Sequence, residues 1–354
     1  MAKKLFIPGP SEVGPKILKA LGTPQIGHRS GEFQELYARV VARLKEFLGT
    51  KSHLYLATSS ATGIMEGAVR NLVKKRCLNL TCGAFSERWH QITLANGKEA
   101  DAISVEWGEP NLPEGLEDRL STGKYDLVTV VHNETSTGVM NPLADIARVV
   151  QKHPDVFLAV DMVSSMAVVD VPIDKLGLDV VFAGTQKGFG LPAGLTVFTA
   201  SERAMERAQG IPHRGYYFDF LDFEKYHQRN QTPATPCTPL LFGMDLRLEL
   251  ISSMGREKWF SRHLEMARRA RRWAEEHFSL LPRKGYESIS LTAIQNTRNI
   301  SVDGLNKELG KRGMAISNGY GKLKEKSFRI GHMGDVDLAD LETLLKNIEE
   351  ILGL

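Results

Sequence analysis

Two short apolar runs in the middle of the sequence each end in residues that can do chemistry. Phe157–Val160 is followed by Asp161, and Val180–Ala183 is followed by the segment GTQK, which ends in Lys187. Buried parallel strands are near-continuous apolar runs, and in open α/β sheets ligands bind at the carboxyl ends of the strands. We therefore expect Asp161 and Lys187 to lie at one edge of a single sheet.

An acid and an amine at a sheet edge have two interpretations. Burial of Lys187 beside the GFG segment lowers the pKa of its amine, which can then act as nucleophile and base. A pyridoxal phosphate site needs such a lysine for a Schiff base and an acidic partner, here Asp161, for the pyridine nitrogen. The alternative is an internal ion pair between the two, although a buried pair contributes little net stability.

Other segments that follow apolar runs could complete a site. Thr58–Gly63 (TSSATG) stands before a helical segment and could bind an anion through free backbone N–H groups, or form an ordinary N-cap. Phe85 could stack on a flat cofactor or pack in the core. His132–Gly138 (HNETSTG) could bind a cofactor or form a self-satisfied turn. Arg329 at a strand end could bind a carboxylate, or lie at the surface.

The elements that position these residues alternate between strand and helix. An amphipathic helix is predicted from Phe33 to Leu48 and ends at Gly49. Strands are predicted at Leu54–Ala57, Cys77–Cys82, Ala102–Trp107, Asp126–His132, Phe157–Val160, Val180–Ala183 and Leu195–Thr199. Such alternation indicates an α/β fold with a mostly parallel sheet.

The pattern changes after Leu240. One long helical region, Leu240–Phe278, is expected to lead into a smaller domain with strands at Asn299–Val302 and Phe328–His332 and a terminal helix from Leu338. We expect three parts: an N-terminal arm at 1–30, a large domain at 31–260 and a small C-terminal domain at 261–354.

Composition excludes several classes of protein. The net charge of +3 is too small to indicate a polyanionic partner, and the basic cluster Arg262–Arg272 is interleaved with Glu residues, which favours a solvated helix face over a nucleic-acid site. Cys77, Cys82 and Cys237 form no CxxC pair, which favours a reducing compartment over disulfides or zinc. No apolar run approaches the ~20 residues of a membrane span, and we expect a cytoplasmic protein without a metal.

Eight motifs in order resemble class V aminotransferases, within them the alanine–glyoxylate, serine–pyruvate and serine–glyoxylate group. The motifs are PGP near the start, GHRS, TSSATGIMEGAV, HNETSTGV, VDMVSS, TQKGFG, TPATP and FRIGHMG. The resemblance covers nearly the whole chain. It implies a fold-type I pyridoxal phosphate-dependent transferase: a large domain with a mostly parallel seven-stranded sheet and a smaller C-terminal α+β domain.

The resemblance also implies roles for individual residues. Lys187 would carry the Schiff base and the proton of the 1,3-shift, Asp161 would hold the pyridine nitrogen protonated, and Phe85 and Val163 would contact the two faces of the ring. The remaining cofactor contacts would be Ser60, Ala61, Thr62 and Gln186 at the phosphate and Thr135 near the 3-oxygen. Thr232 and Thr235 would reach the phosphate of a neighbouring subunit, which implies a homodimer with active sites at the interface. Arg329, Gly9, His28 and Arg29 would lie on the substrate side.

The expected function is a ping-pong transamination from a small L-amino acid, serine or alanine, to glyoxylate or pyruvate. Three alternatives stay open. His28–Arg29 is similar to a pair that phosphoserine aminotransferases place near the substrate phosphate. A cysteine desulfurase would need a reactive cysteine on a mobile loop, whereas Cys237 lies between Pro236 and Thr238. A cofactor-free binding protein on this scaffold would be expected to have lost Lys187 or Asp161.

Overall fold

The computed structural model describes residues 3–354, so the first two residues of the predicted arm lie outside it. The strands of the described chain are β1 Lys4–Phe6, β2 His53–Ala57, β3 Arg76–Thr81, β4 Glu99–Ser104, β5 Leu127–Val131, β6 Asn133–Glu134, β7 Val139–Met140, β8 Phe157–Asp161, β9 Val180–Gly184, β10 Thr196–Ala200, β11 Ser279–Leu280, β12 Leu291–Gln295, β13 Met314–Asn318 and β14 Ser327–Gly331.

The helices are α1 Pro15–Leu21, α2 Gly31–Leu48, α3 Ala61–Leu72, α4 Ala84–Ala95, α5 Leu116–Leu120, α6 Leu143–Val150, α7 Glu202–Gln209, α8 Phe220–His227, α9 Thr238–Met254, α10 Arg256–His277, α11 Val302–Lys311 and α12 Leu338–Leu352. A 3₁₀ turn spans Gly321–Leu323. No helix of the described chain combines the length and the apolar character that a membrane span requires.

A seven-stranded sheet forms the centre of the larger part, with strand order β2-β10-β9-β8-β5-β3-β4. β10 is antiparallel to both of its neighbours, and the other pairings are parallel. All residues of β5, β8 and β9 are buried, as expected for strands covered on both faces. The α/β class predicted from the sequence is confirmed, and so is the mostly parallel seven-stranded sheet that the resemblance implies.

A second sheet lies toward the C-terminus, with order β1-β13-β14-β12-β11. The N-terminal strand β1 joins it by pairing parallel to β13, so the start of the arm belongs to this sheet. A core that includes Phe6, Trp273, Phe328 and Leu345 packs between the sheet and helices α10, α11 and α12. The limits 1–30, 31–260 and 261–354 stay a prediction for the domain division.

Local capping explains where several elements begin and end. The predicted helix at 33–48 corresponds to α2: the Ser30 hydroxyl accepts a hydrogen bond from Phe33 N at 3.3 Å, and Gly49 ends it with φ +63°. The long helical region predicted at Leu240–Phe278 consists of two helices, because Gly255, with φ +91°, separates α9 from α10.

Three other sequence predictions need correction. Asn299–Val302 is not a strand, because the Ser301 side chain caps α11 by accepting from Gly304 N at 3.0 Å. The strand predicted at Ala102–Trp107 lies three residues earlier, as edge strand β4 in register with β3. The basic cluster is not wholly solvated, because the guanidinium of Arg262 donates to the carbonyls of Gly334 and Val336.

Candidate active site

A cavity of about 310 Å³ opens at the carboxyl edge of the seven-stranded sheet, where β5, β8 and β9 end. Nine residues predicted as site residues line it: Ser60, Ala61, Thr62, Phe85, Thr135, Asp161, Val163, Gln186 and Lys187. These residues come from five separate segments of the chain. The parallel topology brings them together because it directs the ends of consecutive strands to the same edge.

Asp161 is the last residue of β8, and its side chain is almost completely buried. Its Oδ1 accepts a hydrogen bond from the backbone N of Val163 at 2.7 Å. Burial raises the pKa of the Asp161 carboxyl to about 7; the Val163 N–H opposes this rise, and the negative charge of Glu134 adds to it. The Asp161 carboxylate therefore faces the cavity and can still accept a hydrogen bond from a cationic N–H donor.

Lys187 follows β9 by three residues, and its Nζ donates to the backbone carbonyl of Pro8. Burial lowers the pKa of the Lys187 amine to about 8, and the positive charge of Arg329 acts in the same direction. At pH 7 about a tenth of the amine is uncharged with such a pKa. Among residues 3–354, Asp161 and Lys187 do not bond to each other, so the internal ion pair considered as the alternative is not formed.

The N-terminal segment holds the Lys187 turn in place. Ser11 donates from its hydroxyl to the carbonyl of Lys187 at 2.8 Å and from its backbone N to the carbonyl of Gln186 at 2.9 Å. Gly9 has φ +135°, and a Cβ built there would lie 2.6 Å from Cε of Lys187. A glycine is therefore required at this position. Gly9, which the resemblance places on the substrate side, lies against the Lys187 side chain and is not among the residues that line the cavity.

One end of the cavity is the N-terminus of α3. Ser60 occupies the N-cap position, but its side chain accepts no hydrogen bond from the first turn of α3. The backbone N–H groups of that turn therefore have no side-chain partner at the N-cap position. The free N–H groups and the helix dipole favour an anion at this end. Gln186 lies beside it, with a buried Oε1 that has no hydrogen-bond partner in the described chain.

Phe85 and Thr135 form another part of the cavity wall. Phe85 is the second residue of α4, and its ring centroid lies 5.4 Å from that of Tyr320. The hydroxyl oxygen of Thr135 lies 2.5 Å from that of Ser164. An aromatic ring and a fixed hydroxyl on one wall suit a flat, hydrogen-bonding ligand.

Arg329 is a buried cation that has no carboxylate partner within the described chain. Its Nη2 donates to the carbonyl of Asn318 at 3.0 Å, and its Nη1 donates to the carbonyl of Thr135 at 3.1 Å. Burial lowers the pKa of its guanidinium to about 10. The side chain is 7% exposed and is not among the residues that line the cavity, but its contact with Thr135 places it directly behind the wall.

Four predicted site residues lie elsewhere in this chain. Arg29 donates from Nη1 to Gln231 Oε1 at 3.0 Å and to the carbonyl of Thr232 at 2.9 Å. Thr232 is buried and donates to the carbonyl of Ala234, whereas Thr235 is exposed. His28 stands next to Arg29 and is partly exposed. None of the four lines the cavity of its own chain.

Sequence reasoning did not single out four of the lining residues: Met65, Arg88 and Val131, and also Asn133, which it includes only as part of the segment His132–Gly138. Arg88 carries the most chemistry: its guanidinium lies 4.9 Å over the Phe85 ring, and its Nη2 donates to the Tyr320 hydroxyl at 3.1 Å. Arg88 follows Phe85 by three residues on a helix, a spacing that places both on one face and could have identified it. Tyr320 comes from the region of the second sheet, so no local signal predicts its position.

The cysteines lie away from the cavity lining. Cys77 and Cys82 are buried in and just after β3, and burial raises the pKa of both thiols. Cys237 is partly buried at the N-cap of α9. A thiol with a raised pKa is a poor nucleophile, so nothing in this site favours desulfurase chemistry.

Comparison with known proteins agrees with the geometry. The model of the family "Aminotransferase class-V" matches residues 16–322. The chain is 36% identical to an uncharacterized aminotransferase of Methanocaldococcus jannaschii, with 94% of this chain and 88% of that protein covered. It is 33% identical to a protein of Synechococcus described as the small subunit of a soluble hydrogenase (99% and 92% covered). It is 31% identical to the serine–glyoxylate aminotransferase of Methylorubrum extorquens (94% and 87% covered).

Solved structures match over the same length. An alanine–glyoxylate aminotransferase from Nostoc superposes with a TM-score of 0.94 at 26% identity, covering 99% of this chain and 96% of that one. An aspartate aminotransferase from Thermus thermophilus superposes with a TM-score of 0.91 at 29% identity, covering 99% of both chains.

Proposed function

This chain belongs to the class V aminotransferase family and is a transaminase, and from this premise we propose that it binds pyridoxal phosphate and transfers the amino group of a small L-amino acid to a 2-oxo acid. We propose serine or alanine as the donor and glyoxylate or pyruvate as the acceptor. The observation that carries the proposal is the pair of buried groups, Asp161 and Lys187, which face one cavity without bonding to each other.

The residues present fit the cofactor. Its phosphate would lie at the uncapped N-terminus of α3, where the backbone N–H groups near Ser60, Ala61 and Thr62 would donate to it and Gln186 lies beside it. Its flat ring would lie between Phe85 and Val163, with Thr135 beside the 3-oxygen. Each chemical part of the cofactor thus has a matching part of the cavity.

Pyridoxal phosphate, when bound, supplies an aldehyde that links to amines and an electron-poor ring that accepts electrons from an adjacent bond. Lys187 would link to that aldehyde through its free amine, and its lowered pKa makes the free amine accessible near neutral pH. The Nζ of Lys187 would also move the proton between the two carbons of the transfer. Asp161 would hold a proton on the ring nitrogen through a charge-assisted hydrogen bond.

Two observations favour a small substrate with one carboxylate. A volume of about 310 Å³ is at the low end for ligand pockets, which leaves little space for a long donor side chain beside the cofactor. The unpaired charge of Arg329 behind the Thr135 wall suits a single carboxylate. The relatives named for serine–glyoxylate and alanine–glyoxylate transfer support the same choice.

A phosphoserine donor is less favoured. Arg29, which would have to bind its phosphate, instead donates to Gln231 and to the carbonyl of Thr232 within its own chain. The same contact supports the proposal that Thr232 and Thr235 serve a neighbouring subunit, because the segment is held away from the cavity of its own chain. We propose a homodimer with shared sites, and a cytoplasmic location consistent with three unpaired cysteines.

A half-reaction screen tests the proposal. Purified protein is loaded with pyridoxal phosphate, and the visible absorbance band is followed after adding serine, alanine, aspartate, glutamate or phosphoserine separately, without an acceptor. Serine or alanine should remove the band fastest, and glyoxylate should restore it. A protein that takes up no pyridoxal phosphate contradicts the proposed cofactor, whereas a fastest response to phosphoserine contradicts the proposed substrate class.

A further inference from the structure

Glu134 is a completely buried carboxylate beside the cavity that has no cationic partner in the described chain. Its charge is met by neutral donors instead. The backbone N of Ser86 donates to Oε2 at 2.9 Å, and the backbone N of Phe85 donates to the two carboxylate oxygens at 3.3 and 3.2 Å. The hydroxyl of Ser136 donates to Oε1 at 2.6 Å. Such donors offset the cost of burying a charge.

The backbone donors among these are the first amides of helix α4. Phe85 and Ser86 donate to Glu134 directly, and Ala84 N donates at 3.0 Å to the Ser136 hydroxyl, which in turn donates to the carboxylate. The N-cap residue of α4 is Gly83, which has no side chain to serve these amides. A Cβ at Gly83 would lie 2.4 Å from Cγ of Glu134. Glu134 therefore occupies the place of a capping side chain, from a different segment of the chain.

The anchored helix turn carries a wall of the site. Phe85 lines the cavity on one side of Glu134, and Thr135, the next residue in sequence, lines it on the other. Thr135 is also the residue whose carbonyl holds Arg329. One carboxylate thus ties the stacking ring, the hydroxyl and the buried arginine into a single unit.

We propose that Glu134 is a positioning residue that fixes Phe85 and Thr135 against the cofactor by capping α4 from outside the helix. The proposal rests on the proposed function for the identity of the cofactor, but the capping itself does not. It assigns Glu134 a role in the precision of the site, in addition to stability.

The test compares Glu134→Gln and Glu134→Asp with Asp126→Asn. The amide keeps the shape of Glu134 but turns one acceptor into a donor that faces other donors, and aspartate keeps the charge on a shorter chain. Asp126 is the control, a buried carboxylate before β5 and away from the cavity. Like Glu134 it accepts from backbone N–H groups, of Lys75 at 2.7 Å and of Lys74 at 2.9 Å, and unlike Glu134 it also pairs with Arg207.

Two readouts are needed. Hydrogen exchange of the Phe85 and Ser86 amides in the cofactor-free protein should accelerate in Glu134→Gln and stay unchanged in Asp126→Asn. The Kd for pyridoxal phosphate should rise about tenfold or more in Glu134→Gln, with an altered visible circular dichroism band, and less in Glu134→Asp. Asp126→Asn should lower Tm and leave Kd within about twofold.

Wild-type exchange at both amides together with a wild-type Kd in Glu134→Gln would overturn the proposal. A fall in Tm with no change in exchange, Kd or circular dichroism would also overturn it, because that result indicates a purely structural residue. If the wild-type protein itself takes up no pyridoxal phosphate, the proposed function fails, and the exchange rates alone decide whether Glu134 anchors the wall.

Discussion

The two edges of the seven-stranded sheet treat buried carboxylates in opposite ways. At the amino edge, Asp179 accepts from Arg203 through two nitrogens at 2.6 and 2.5 Å, and Asp126 accepts from Arg207 at 3.0 Å. At the carboxyl edge, Asp161 is buried to a similar extent, but no cation of the described chain pairs with it. Backbone N–H groups donate to the buried carboxylates at both edges, so the two edges differ in whether an arginine pairs with the carboxylate.

This difference separates stability from function. A buried carboxylate that is paired and fully hydrogen-bonded holds the chain together, and removing one partner leaves an uncompensated charge. A buried carboxylate without a cation costs stability unless several neutral donors satisfy it, as they do for Glu134, or a ligand supplies the missing charge, as we propose for Asp161. The amino edge is therefore a closed structural layer, and the carboxyl edge is prepared for a cationic ligand atom.

Replacing Lys187 should have the largest effect on activity. Lys187→Ala removes the only amine that lines the cavity within residues 3–354, and we expect transamination to fall at least about 10⁴-fold. Tm should not fall, because a buried amine with a lowered pKa is lost. Loss of the visible absorbance band in a protein with unchanged circular dichroism in the far ultraviolet checks this. Retained transamination would remove Lys187 from the chemistry.

Replacing one buried aspartate by asparagine at each edge tests the comparison directly. Asp161→Asn should lower kcat about 10²–10³-fold without loss of stability, because it removes an unpaired buried charge. Asp179→Asn should leave kcat unchanged and destabilise the protein by about 3 kcal/mol, because it breaks the bidentate contact with Arg203.

Kinetics at saturating substrate and urea unfolding of both variants provide the measurements. The comparison breaks if Asp179→Asn loses activity while folded, or if Asp161→Asn unfolds more easily than the wild-type protein.

Two buried arginines show the same contrast between an unpaired and a paired charge, and we expect smaller effects from replacing them. Arg329→Ala should lower kcat/KM about 10–100-fold for every amino acid donor, because each loses the same charge-assisted bond to its carboxylate. Arg247 is the matched control: it is 2% exposed and pairs with Asp335 at 2.8 Å. Arg247→Ala should lower Tm with little change in KM. Equal kcat/KM values in Arg329→Ala and the wild-type protein would exclude Arg329 from substrate binding.

The pH dependence of the cofactor-free protein should show the smallest effect. The pKa of Asp161 is raised from 3.8 to about 7 in the folded state, so the folded protein binds this proton more tightly and stability falls as the pH rises from about 4 to about 7. The pKa of Lys187 is lowered from 10.5 to about 8, so stability rises again between about 8 and 10.

We therefore expect a minimum of Tm near pH 7 to 8, with a depth of a few degrees. Asp161→Asn should flatten the acidic side of the curve, and Lys187→Ala should flatten the basic side. Thermal unfolding of the three proteins across pH 4 to 10 measures this. Parallel curves would show that neither group is as deeply buried as the structure places it.

Much of the site could be predicted because its residues follow apolar runs. Asp161 ends a strand of the seven-stranded sheet, and Phe85 and Lys187 follow strands parallel to it within four residues, so topology brings the three to one edge. Arg29 and Thr232 illustrate the limit. Their types suit anion binding, but which chain they serve depends on contacts far apart in sequence.

By itself, the sequence predicted the fold class and most of the residues that line the cavity, partly from strand-end chemistry, which is a local property of a chain, and partly from the resemblance of its motifs to a family. Only the tertiary structure decided which buried charges are paired. Asp126, Asp161 and Asp179 all flank apolar strands, and only packing shows that Arg203 and Arg207 reach two of them. Only packing shows that Glu134 caps a helix that begins fifty residues earlier. Pairing depends on distances between segments that are far apart in sequence, which the local pattern does not encode. In this protein those distances give the amino edge of the sheet its ion pairs and leave Asp161 at the carboxyl edge without a cation.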